Sequence, residues 1–256
     1  MTNETYIKKL IEDGSRIDKR PFDEFREVTV EKGVIQTAEG SARVRIGNTH
    51  VIAGVKMSVG KPFPDTPDEG ILIVNAELSP ISSPKFETGP PSEDAIEIAR
   101  VIDRGIRECK AISLDKMCIE PKEKVWVVNV DIHVLDHDGN LIDAGGLAAL
   151  AALLDAKIPK YDIENEKVIK EETSGPVPVI ETPIPVTITK IANQLLLDTT
   201  VEEEDAMEAR ITIASMKDGS LCAMQKSGKG YLTTEELEKA VDWSIKKGGE
   251  LRALLT

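Results

Sequence analysis

Apolar and polar residues alternate along 27–35, then again along 42–46 and 49–57, and the last two runs flank Gly47-Asn48. Alternation with period two predicts half-buried strands, and a short Gly-Asn link between two of them predicts a tight hairpin. Residues 61–70 carry three prolines and predict an exposed loop; 71–78 is the next strand, and the proline-rich stretch 79–91 a second loop. Ser92 then opens a different rhythm. Ile98, Val101, Ile102, Gly105, Cys109 and Ile112 recur at helical spacing, with Ser92 as N-cap and Glu93 and Asp94 in the first turn. Over 125–135, Trp126, Val128, Val130, Ile132 and Val134 share one face of a long strand. Asp138-Gly139 turns the chain into 141–156, an Ala/Leu-rich helix apolar nearly all round and therefore expected to be buried.

The same vocabulary returns after a proline-studded stretch. Strands are predicted over 186–191 and 194–198, a hairpin across Asp218-Gly219, and a helix opening on the Thr233 to Glu236 capping box. The pattern predicts an α+β protein of two related halves. An N-terminal helix and extension would take 1–22, a first half 23–158, a connector 159–185 and a second half 186–256.

Composition narrows the function. Among 256 residues, 32 Lys+Arg face 45 Asp+Glu, a net charge of −13, so binding of nucleic acid through bulk positive charge is excluded and only a local basic patch could serve. The longest apolar run, 147–154, is far short of the ~20 residues of a membrane helix. The polar opening MTNETYIKKLIEDGSR lacks the apolar stretch of a signal peptide. Three cysteines, Cys109, Cys118 and Cys222, give no even disulfide framework and suit a reducing cytoplasm.

Four constellations carry candidate chemistry. Arg100, Arg104 and Arg107 lie at i, i+4 and i+7, one stripe of the 93–112 helix that could grip successive phosphates. Glu97, Asp103 and Glu108 stand within ion-pair spacing of them, and spacing alone favours a solvated, ion-paired face. Glu202, Glu203, Glu204 and Asp205, with Glu208, could hold a hard cation or act as general acid; a carboxylate run before a strand more often reads as solvated surface. His133 and His137 flank Asp136 and Asp138 with no third ligand motif, so His133 is expected in the core or an interface rather than at a metal. The KSGKG stretch at 226–230 lacks the rest of a phosphate loop.

The segment DGSRIDKRPFDEFREVTVEKGVIQTAEGSARVRIGNTHVIAGVK, residues 13–56, resembles the opening of the RNase PH superfamily. Its marks are Asp13-Gly14, Arg16, Asp18 and Arg20, then Gly40-Ser41-Ala42, then Gly47-Asn48-Thr49 before Val51. The likeness continues through the 96–109 helix, VDIHVLDHDGNLIDAGGLAALAALLDAKIP and VEEEDAMEARITIA, and covers nearly the whole chain. Within the superfamily it is most similar to the non-catalytic RNase PH-like subunits of the archaeal exosome.

That resemblance implies a duplicated RNase PH fold whose halves share one core. It also implies a hexameric ring, a trimer of heterodimers with a catalytic RNase PH-like subunit. Single-stranded RNA would enter the ring 3′ end first, and cap subunits with RNA-binding domains would sit on one face. Active members hold phosphate with a Ser/Thr-Arg pair after an Asp-Gly turn, where hydroxyl, guanidinium and helix N-terminus suit an oxyanion. Here the matching residues after Asp138-Gly139-Asn140 are Leu141 and Ile142, which have no side-chain donor. Active members also carry two aspartates six residues apart, as general acid and metal ligand; the matching positions here are Glu204 and Arg210. The resemblance therefore implies a subunit without catalytic residues, metal or cofactor of its own. Arg100 and Arg104 match positions that face the RNA path near the partner's active site, with Arg107 the third candidate. The alternative, an active homohexameric phosphorolytic 3′-to-5′ exoribonuclease, has Leu141, Ile142 and Arg210 against it. A scaffold with no RNA role is the weakest reading.

Overall fold

The computed structural model describes residues 3–256, apart from the side chain of Lys170; Met1 and Thr2, the start of the expected N-terminal extension, lie outside the described residues. Among the described residues, twelve strands and five α-helices follow one another in an α+β arrangement. The first half supplies α1 (Asn3–Glu12), β1 (Val28–Lys32), β2 (Gly40–Ile46), β3 (Thr49–Gly60), β4 (Ile71–Leu78), α2 (Glu93–Glu108), β5 (Cys118–Glu120), β6 (Lys124–Asp136) and α3 (Leu141–Asp155). Next come β7 (Lys157–Asp162), β8 (Lys167–Pro176), β9 (Ile184–Ile191), β10 (Gln194–Leu197), α4 (Val201–Asp205), β11 (Ala209–Ser215), β12 (Leu221–Ser227) and α5 (Thr234–Arg252).

A mixed sheet runs β1-β2-β3-β6-β4, with β5 attached to β6; β4 is parallel to β6 and the other pairs are antiparallel. A second, antiparallel sheet runs β10-β9-β11-β12. Between them lies α3, buried at every position from Leu141 to Leu153. It packs on β2 and β3 on one side and on β9 on the other, so one apolar helix serves both sheets. Fully buried Leu147, Leu150 and Leu153 contribute about 1.5–3 kcal/mol each by leaving water. The close fit shows at Gly40, where a Cβ would collide with Ala152 and Ala156 backbone in the last turn of α3. On the other sides α2 packs on β4, α3 and β12, and α5 covers β9 and β11.

Two expectations need correction. The segment expected as a plain connector is largely an antiparallel ribbon, β7 paired with β8, and Val179 then bridges to Ile112. The acidic run expected in a solvated loop is helical: α4 begins after Thr200, whose N–H donates to the Glu203 carboxylate at 3.0 Å. Of the two places expected for His133, the core or an interface, the core is ruled out. It points away from the core on β6, half exposed, with Nδ1 3.3 Å from Glu77.

Candidate functional site

The N-terminus of α3 is built from the turn before it. Gly139 has φ +84°, and a Cβ there would strike the Thr199 carbonyl, so the turn requires glycine. Asn140 follows in the left-handed region at φ 55°. Its side chain donates to Asp198 Oδ1 at 2.9 Å instead of capping the helix, and its backbone N–H donates to Glu204 Oε1 at 2.8 Å. A carboxylate of the chain thus occupies the anion-favouring end of α3. Burial pushes the Glu204 carboxyl up to about 7. Leu141 and Ile142 come next, both buried. One residue further on, Asp143 is enclosed, accepting from Thr187 N at 3.0 Å and Thr187 Oγ1 at 2.7 Å; burial pushes it up to about 7 as well.

The opening motif explains what stands behind this turn. Arg16 is 1% exposed and donates to both carboxylate oxygens of Glu203, at 2.9 and 2.6 Å, and to the carbonyls of Leu197 and Asp198. Arg20 reaches Asp198 at 2.7 Å, and Arg26 holds both oxygens of Asp198 and one of Asp138. Burial works against ionisation of Asp198, yet hydrogen bonds and charge from Arg26, with Arg20, hold its carboxyl below the usual carboxylate range. These arginines are structural. They clamp the strand end that positions Asn140.

Arg210, on β11, turns toward α2 and donates to Glu97 Oε2 at 2.8 Å; Ser227 on β12 hydrogen-bonds the other oxygen of the same carboxylate. Despite burial, Ser227 and Arg210 keep Glu97 below its ordinary range. Leu141, Ile142, Glu204 and Arg210 therefore converge on one cleft of about 1160 Å³. The loop after β4 covers part of it, with Phe86 stacked on His137 at 5.2 Å and Lys85 Nζ 2.7 Å from both Asp205 oxygens. The cleft offers no side-chain hydroxyl or guanidinium at the start of α3. Among the described residues no group of three or more His, Cys, Asp or Glu is arranged to hold a metal ion, and the three cysteines are free.

The three arginines of α2 share a helix face but their guanidinium groups part. Arg107 is taken by Asp103, at 2.6 and 3.0 Å, and donates to the Leu72 carbonyl on β4. Arg104 leans the other way and donates to Gln225 Oε1 on β12 at 2.7 Å. Arg100 is exposed and makes no hydrogen bond or ion pair among the described residues. Glu97, expected to pair with this row, serves Arg210 instead. A free cation and a lightly held one thus lie side by side along the groove between α2 and β12. Sequence reasoning missed Gln225, whose alternation with Ser227 on β12 puts both toward α2.

Comparison with known proteins gives a consistent result. Residues 24–159 match the 3′ exoribonuclease family, domain 1, and residues 181–247 match domain 2 of that family. The chain is 50% identical over 251 residues to exosome complex component Rrp42 of Thermococcus gammatolerans, covering 97% of this chain and 92% of that one. It is 48% identical to the component of the same name from Methanothermobacter thermautotrophicus, over 96% and 91% of the two chains. Among solved structures, a chain of the Archaeoglobus fulgidus exosome with RNA bound to the active site superposes with TM-score 0.92 at 47% identity, covering 99% of this chain and 98% of that one. No helix among the described residues is long and apolar enough to cross a membrane.

Proposed function

Because the chain belongs to the RNase PH family of 3′ exoribonucleases and carries both of that family's domains, we propose that it is the non-catalytic, RNA-binding subunit of an archaeal exosome. In this reading it completes a ring of three heterodimers with a catalytic RNase PH-like subunit, works in the cytoplasm with RNA-binding cap subunits, and helps position single-stranded RNA at the partner's active site. It needs no metal or cofactor of its own. The exosome names of the relatives given above support the assembly.

One observation carries the non-catalytic assignment. At the start of α3, Leu141 and Ile142 present no donor, and the Asn140 N–H is already satisfied by the Glu204 carboxylate. Phosphorolysis needs a phosphate anion held in line with the scissile bond. Here Glu204 already takes the Asn140 N–H that an incoming anion would need. Arg210 compounds the loss, since a cation aimed at Glu97 cannot ligate a metal. The RNA role rests on Arg100 and Arg104, the two least committed cations of α2. For assembly, β4 and β12 end their sheets, and Phe63, Ile73 and Ile81 lie exposed, leaving edge and apolar surface for neighbours.

The test is phosphate-dependent release of nucleoside diphosphates from single-stranded RNA. The purified chain alone should release none, and adding the catalytic subunit should restore processive shortening with a mixed ring visible by native mass spectrometry. Release by a partner-free preparation would overturn the assignment.

A further inference from the structure

The groove between α2 and β12 encloses about 300 Å³, with Val101 in its floor, Ile96 at its rim, and Arg100, Arg104, Glu97 and Gln225 around it. Of these, Gln225 alone comes from the second half of the chain. Its Oε1 accepts from Arg104 Nη1 at 2.7 Å, and its Nε2 makes only a long 3.4 Å approach to the Lys226 carbonyl. The partner of Arg104 is thus a neutral acceptor, whereas the partner of Arg107 is a carboxylate. The difference matters chemically. A carboxylate fixes an arginine but cancels its charge toward a phosphate, while an amide oxygen fixes it and leaves the charge whole. Arginine side chains lose considerable rotamer freedom when they bind, so a cation held beforehand binds more tightly than a free one.

We propose that Gln225 is a positioning residue for RNA: it holds the Arg104 guanidinium out over the α2–β12 groove in the orientation that receives a backbone phosphate, without neutralising it. The proposal rests on the reading of Arg104 as an RNA-binding residue. It assigns the groove a division of labour. Arg100 supplies a mobile cation, Arg104 a pre-oriented one, and Glu97 stays out of the way because Arg210 and Ser227 hold it.

The experiment is titration of the assembled ring with a fluorescent single-stranded oligoribonucleotide at two salt concentrations. It compares the parent with Gln225→Ala, Gln225→Glu, Arg104→Ala and Arg104→Ala combined with Gln225→Ala. Gln225→Ala should weaken binding roughly two- to tenfold, the factor for freeing one rotamer-rich side chain. Gln225→Glu should weaken it further while keeping or raising thermal stability, because it builds an ion pair with Arg104; a merely structural glutamine would not separate these two readouts. In the Arg104→Ala background, Gln225→Ala should add nothing. If Arg104→Ala weakens binding but Gln225→Ala binds as the parent does, or is equally harmful in both backgrounds, the positioning role is overturned while the RNA reading stands. If Arg104→Ala leaves affinity and salt slope unchanged, the reading of Arg104 as an RNA contact falls and this proposal with it.

Discussion

Arg210 and Glu97 meet at 2.8 Å across the seam between β11 and α2, one from each half of the chain, and each is less than one-third exposed. In the proposed reading this is a position where an active member would carry a carboxylate, and here it holds the counter-ion of another carboxylate. Arg210→Asp, which restores the acid type, should therefore fail twice. It should place two acids face to face and lower stability by about 1.5–3 kcal/mol, the range for a hydrogen bond to a charged group. It should also leave phosphorolysis by the isolated chain at zero, since Leu141 and Ile142 remain. Chemical denaturation and a phosphorolysis assay on the same preparation check both halves.

The α2 row divides by partner. Arg100→Ala with Arg104→Ala should weaken RNA binding by the assembled ring, and every phosphate left without its cation should lower the salt slope by about 0.7. Arg107→Ala should leave affinity and slope unchanged and cost under about 1 kcal/mol of stability, because Asp103 already takes it in a partly exposed pair. Titrations at two salt concentrations separate Arg107 from the other two.

Arg16→Ala should be among the more damaging single changes outside the hydrophobic core. It leaves Glu203 buried without its arginine and the Leu197 carbonyl without that donor, while Arg20 still donates to the Asp198 carbonyl. Breaking a buried pair from one side costs about 3–5 kcal/mol. Urea unfolding measures the loss, and Arg16→Lys should recover only part of it because an ammonium cannot span both carboxylate oxygens and both carbonyls.

Asp143 supplies a pH dependence of definite sign. Its carboxyl is raised from the ordinary 3.8 to about 7 by burial. Between those values the folded chain holds a proton that the unfolded chain has released, so this group's contribution to stability is full below about 4 and declines as pH rises toward 7. Asp143→Asn can still accept from Thr187 N and donate to Thr187 Oγ1, and it removes the titration. Unfolding curves from pH 4 to 7 should fall less steeply for the variant than for the parent; parallel curves would remove Asp143 as the cause.

Much of this was legible in the sequence because local chemistry decided it. The Gly47-Asn48 hairpin, the Ser92 cap, the Thr233 capping box and the all-apolar α3 each follow from neighbouring residues. The β7–β8 ribbon was not legible, since KVIKEETSGP has charged positions on both faces and no buried side to impose alternation. Glu203 and Glu204 read as surface because what buries them is distant. Arg16 lies 187 residues before Glu203, and Asn140 lies 64 before Glu204. His133 was legible after all. With Ile132 and Val134 inward on β6, period two alone sends it outward. The arginine row shows the limit of helical wheels: backbone phase places the Cβ atoms together, and long side chains then choose Leu72 or Gln225 according to what stands on either side.

Placing α3 between the two sheets has a consequence for how the polypeptide is made. The helix is complete when residue 155 has been added, but β9, which covers its second side, has yet to be translated. During that interval an Ala- and Leu-rich surface stands open to water on the nascent chain, the kind of surface that associates with other chains or is captured by chaperones. Neither half can mature first and wait as a finished unit, because the second half builds the wall that the first half's own helix needs. Cutting the gene in the ribbon between them would yield two pieces, each with a bare face, and co-expression rather than separate refolding is the route by which such pieces could find each other.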